Sequence, residues 1–104
     1  MTVDNSDGHA VSRPDPPPPS AALAEAVELL AAGAWQPAHT IVQGEESALA
    51  AWLHGIVHTL EGDLDNARHW YRRADRAFPG PDAIREEITA ARLAVHGGAE
   101  PRRP

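Results

Sequence analysis

AWLHGIVHTLEGDLDNARHWYRRADRAFPGP, residues 51–81, holds two helical periods separated by a turn. Leu49, Trp52, Leu53, Ile56, Val57 and Leu60 recur at steps of three and four, the apolar stripe of an α-helix that begins near Ser47. Gly62 interrupts the period, and Asp63 behind it is a residue type whose carboxylate caps a following helix. The second period runs through Ala67, Trp70, Tyr71, Ala74 and Phe78 and stops at Pro79. Trp35, Trp52 and Trp70 at helical spacing read as core anchors.

The same grammar extends in both directions. Ser20 is placed to cap a first helix with apolar positions Leu23, Ala26, Val27 and Leu30, ended by Gly33. Trp35 opens a short second helix that accepts Pro37 in its first turn and continues through Ala38, Ile41 and Val42 to Gly44. Asp82 is placed to cap a fifth, with Ile84, Ile88, Ala91 and Val95 in period. Gly33 to Ala38 aligns with Gly62 to Ala67, glycine on glycine and alanine on alanine. The expected fold is therefore all-α: two helical hairpins plus a C-terminal capping helix, about five helices in all. Residues 1–19, with prolines at 16–19, are expected to be a disordered leader, 20–96 the helical domain, and 97–104 a disordered tail.

Residues 51–81 also resemble one tetratricopeptide-type repeat. Gly55 stands at the close crossing, Gly62-Asp63 at the turn, Ala67 at the small packing position, and Pro79 beyond the second helix. The echo offset, about 29 residues, is shorter than the roughly 34 of a regular repeat. Solenoids usually need about three repeats to bury a continuous core, so two hairpins and a cap favour a homo-oligomer. A longer motif covers most of the domain: Trp52-x-His54-x-x-x-His58-x-x-Glu61-Gly62-Asp63-x-x-Asn66-Ala67-x-x-Trp70-Tyr71-x-Arg73-Ala74, preceded by Trp35-x-x-Ala38-His39-x-Ile41-Val42-Gln43. It resembles a family of short, uncharacterised bacterial and fungal proteins. Against that family's pattern, Thr59 stands in place of an arginine and His69 in place of a tyrosine. The resemblance implies a shared polar site and names no reaction.

Composition narrows the function. The chain of 104 residues has no cysteine, which excludes disulfides, zinc ribbons and thiol catalysis. Its net charge of −6 lacks the concentrated positive surface that nucleic acid requires. No apolar run reaches the roughly 18–20 residues of a membrane span, so no membrane partner is expected. The first twenty residues have neither the basic start nor the apolar centre of a secretory signal, and the expected location is cytoplasmic.

The chemistry concentrates in histidines. His54, His58 and Glu61 are four and three residues apart, on one face of a helix. Two imidazoles and a carboxylate so spaced suit zinc, iron or manganese, with His39 of the neighbouring hairpin available to complete the set. A metalloprotease motif needs its glutamate next to the first histidine, whereas Leu53 and Gly55 flank His54. Two arguments pull the face in opposite directions. On a helical wheel it lies nearly opposite the apolar stripe, as a solvated face would. The repeat alignment turns it towards the next helix, where Asn66, His69 and Arg73 form a polar stripe. The expected function is a binding module that takes a protein or small-molecule ligand in a groove lined by His39, Gln43, His54, His58, Glu61, Asn66 and Arg73. The alternative is a metal-binding protein or small enzyme using His54, His58 and Glu61 with a divalent ion. There, Arg73 would hold an anionic group.

Overall fold

The computed structural model describes residues 19–97; the leader expected over 1–19 and the tail over 97–104 lie, but for their inner ends, outside them. Five α-helices are present: α1 Pro19–Ala31, α2 Trp35–Val42, α3 Ala48–Glu61, α4 Leu64–Arg73 and α5 Ile84–Gly97, the last entered through a 3-10 turn at Pro81–Ala83. There is no strand among the described residues. No helix among them is long and apolar enough to cross a membrane.

Local chemistry sets the boundaries. Ser47 accepts the Ala50 N–H through its hydroxyl at 3.0 Å and starts α3. At its other end Gly62 adopts φ +93°, and the N–H groups of Gly62 and Asp63 both return to the His58 carbonyl, at 3.0 and 2.9 Å. Asp63 then accepts from the Asn66 N–H and side-chain amide, capping α4. Those two bonds from Asn66 hold the Asp63 carboxyl below its ordinary range. The aligned segment behaves alike: Gly33 has φ +81°, and Ala38 and Ala67 are both wholly buried.

Three boundaries differ from the sequence expectation. Ser20 lies inside α1, one residue past Pro19, so it is not the cap of that helix. Asp82 sits within the 3-10 turn, and α5 starts two residues later. α4 ends at Arg73, so Phe78 packs from the connection beyond the helix, edge-on to Tyr71 at 5.2 Å between ring centres.

The helices pair as α1 with α2 and α3 with α4, while α5 lies against α1 and α3. α3 is thus enclosed, and residues 51–59 are buried without a break. The crossing of α3 and α4 depends on Gly55. A β-carbon there would lie 2.5 Å from Cδ1 and 2.7 Å from Cε1 of Tyr71, and 3.3 Å from the Ala67 carbonyl. The Tyr71 ring, rather than the Ala67 methyl alone, fills the glycine notch. Its hydroxyl donates to Glu87 Oε1 at 2.7 Å, the same oxygen that accepts Trp52 Nε1–H at 3.0 Å. Burial, then the Glu87 bond, pushes the Tyr71 hydroxyl far above its ordinary range, so it remains a donor. Glu87 therefore ties α5 to both helices of the second hairpin.

Replacing Gly55 with alanine tests this crossing. An added methyl forces Tyr71 out of its notch, an overpacking cost of about 1–3 kcal/mol against a helix-propensity gain of about 1 kcal/mol. We expect net destabilisation in urea denaturation. Equal or raised stability would show that the two helices do not meet at Gly55.

Candidate functional site

α2 and α4 each pack on α3 more than on each other, which leaves a trough with α3 as its floor. The resulting cavity has a volume of about 730 Å³. His54 and His58 rise from the floor, His39 and Gln43 come from α2 and the residue after it, and Asn66, Trp70 and Arg73 come from α4. The connection Glu45–Glu46–Ser47 also lines the cavity. Six of the seven residues expected in the groove thus line one cavity. The seventh, Glu61, does not face it.

The imidazoles form a compact cluster. His39 Nε2 and His54 Nε2 are 3.1 Å apart, close enough that one donates and the other accepts. The ring centres of His39 and His54 are 4.8 Å apart, those of His39 and His58 5.3 Å, and those of His54 and His58 5.0 Å. His54 is 6% exposed and His58 8%, although both lie on the face that a helical wheel marks as polar. The wheel assumes one packing partner; α3 has several, and its polar face is covered by α2 and α4.

Supporting contacts fix the ring orientations. Trp70 stacks flat on His54, with 3.8 Å between ring centres and an interplanar angle of 7°. Arg73 carries its guanidinium carbon 5.4 Å from the Trp70 ring centre, and His69 meets the ring edge-on. Glu61 Oε1 lies 2.7 Å from His58 Nδ1 and accepts from it, so in the neutral tautomer this bond selects, the lone pair is on Nε2. Burial, followed by the neighbouring charges of His39, His58 and His69, lowers the His54 pKa from 6.5 to about 4. His54 is accordingly a neutral imidazole at pH 7.

Two groups of potential metal ligands occur among the described residues. One nitrogen from each of His39, His54 and His58 lies within 4.8 Å of the others. The second group, His58, Glu61 and Asp63, is mostly exposed, and its acids are engaged: Glu61 with His58, and Asp63 with Asn66. The cluster expected from the sequence, His54 with His58 and Glu61, is thus rearranged. His39 takes the third place, and Glu61 stands behind His58 as its hydrogen-bond partner. Trp70 is half-buried: it packs against the core, as expected of an anchor, and also forms a wall of the cavity, while His69, on the same helix, does not line it. Glu45 and Glu46 also line the cavity and carry no sequence signal, because they lie in a connection without a period.

No protein-family model, no curated protein and no solved structure matches the chain.

The depressed His54 pKa has a stability consequence whose sign follows from linkage. Above pH 6.5 the imidazole is neutral in both folded and unfolded chains, and its contribution is constant. Between pH 6.5 and about 4 the unfolded chain takes up a proton that the folded one refuses, so stability falls with pH. The loss by pH 4 is on the order of 2–3 kcal/mol. Urea titrations of the chain with a chelator present, at neutral pH and near pH 4.5, should show this loss for the wild type and a smaller one for His54→Leu. Equal pH dependence in both proteins would remove His54 as its source.

Proposed function

We propose that the chain is a binding module whose groove between α2 and α4 takes a small polar ligand, with Arg73 and the imidazoles as its polar contacts. The observation that carries this reading is the convergence of His39, His54 and His58 on an open cavity while two of them are more than nine-tenths buried. Buried polar groups cost stability unless satisfied, and apolar side chains would fill the floor of α3 at lower cost. Arg73 on one wall and Glu45 and Glu46 in the connection give the cavity charges of both signs. A small anion meets a guanidinium there, and its remaining donors or acceptors meet imidazole and the Asn66 amide.

A thermal-shift panel of inorganic phosphate and small mono- and dicarboxylates, with a chelator present throughout, tests this directly. A ligand at about 100 times its dissociation constant adds about 2.7 kcal/mol, which moves the Tm of a domain this size by roughly 10–20 °C. We expect at least one member to do so for the wild type and not for Arg73→Ala. A panel that leaves the wild-type Tm unchanged sinks the small-anion reading.

A further inference from the structure

We infer that His39, His54 and His58 form a three-histidine site for a divalent transition-metal ion of the zinc class, with Glu61 as the residue that orients His58. This deepens the groove reading and rests on it, since the ion would lie at the floor of the same cavity. Geometry supplies the first reason. Two nitrogens bound to one tetrahedral ion at about 2.0–2.1 Å stand roughly 3.3–3.4 Å apart. His39 Nε2 and His54 Nε2 are 3.1 Å apart, near that edge length. One nitrogen from each of the three residues lies within 4.8 Å of the others, so adjustment of the side chains is enough to close the triangle.

The second reason is the neighbour behind the cluster. A metal-ligating histidine commonly donates its other N–H to a carboxylate, which fixes the tautomer and raises ligand basicity. Glu61 at 2.7 Å from His58 Nδ1 is such a partner, and it leaves Nε2 as the nitrogen available to an ion. Trp70, stacked on His54, restrains the second ring in the same way. Nitrogen-only donors favour zinc, cobalt, nickel or copper over magnesium and calcium, which take oxygen. Three protein ligands leave a tetrahedral ion one position for water or the oxygen of an anion. Arg73 on the cavity wall is the charge available to hold such an anion.

The test uses the full chain, purified without a histidine tag, titrated with cobalt(II) as the probe. Binding one equivalent should give the intense visible d–d bands of four-coordinate cobalt, displaced by zinc. His39→Ala, whose side chain is only half-buried, should keep the helical circular dichroism and lose affinity by more than about 10–100-fold, the range typical of losing a supporting partner. Glu61→Gln should fall within that range, and His96→Ala, on an outer face of α5, should bind as the wild type does. Absent bands, weak six-coordinate bands, or wild-type affinity in His39→Ala would overturn the site. Because the anion panel is run with chelator, the two readings fail separately. A stabilising anion without cobalt binding removes only the metal, and cobalt binding without a stabilising anion removes only the chelator-resistant anion site.

Discussion

The enclosure of α3 is the constraint from which the other features descend. All four other helices pack on it, and from α2 and α4 His39 and Trp70 cover His54 on its polar face. A helix buried all round ordinarily reads as apolar all round. α3 departs from that at His54, His58 and Thr59, and each departure has a local answer. The Thr59 hydroxyl returns to the Gly55 carbonyl at 2.8 Å, His58 is held by Glu61, and His54 shares a proton with His39. These bonds make burial of the polar face tolerable. They also explain why it is ordered.

Position follows from the glycine notch. Because Gly55 has no β-carbon, Tyr71 seats against the α3 backbone and sets how closely α4 approaches. Trp70, the preceding residue, is thereby turned over His54. Glu87 secures the arrangement from α5 by accepting from Tyr71 and Trp52 at one oxygen, while the Arg76 guanidinium lies 3.5 Å over the Trp52 ring. On the far side, Arg92 and His96 reach Glu28 of α1. Those groups are about half exposed, and such pairs contribute little. The Glu87 contacts, which satisfy an indole and a buried phenol, bear more of the burden.

How far the sequence could be read depends on whether a feature is local. Gly62, Asp63 and Ser47 act on their own neighbours, and each sits where its chemistry predicts. The glycine–alanine echo was legible for the same reason, since Gly33 and Gly62 share left-handed geometry. Ser20 and Asp82 are good capping residues that lost the position, Ser20 to a helix already begun at Pro19 and Asp82 to the 3-10 turn set by Pro81. Tertiary features were legible only in part. The wheel placed His54 and His58 on a solvated face because periodicity gives a direction but not the number of partners. Glu61 shares their face, yet it stands at the last residue of α3, bonds to His58 and does not line the cavity. His39 stood fifteen positions earlier, and only the packing of α2 on α3 makes it a neighbour.

Energetics bear on why the imidazoles persist. A hydrogen bond contributes about 0.5–1.5 kcal/mol net, and His39 with His54 makes one between two rings. A fully buried aliphatic side chain contributes about 1.5–3 kcal/mol, so leucines on α2 and α3 would stabilise the trough more than the histidines do. Each added aliphatic would also fill the cavity between α2 and α4. The present residues give up part of the attainable stability and keep the cavity open, lined by lone pairs of fixed orientation. Glu61 and Trp70 hold that orientation from beside the cluster, Glu61 through its hydrogen bond to His58 and Trp70 by stacking on His54 while it packs on the core. Support of this kind is what the proposed groove reading asks of groups that meet a ligand at a set angle.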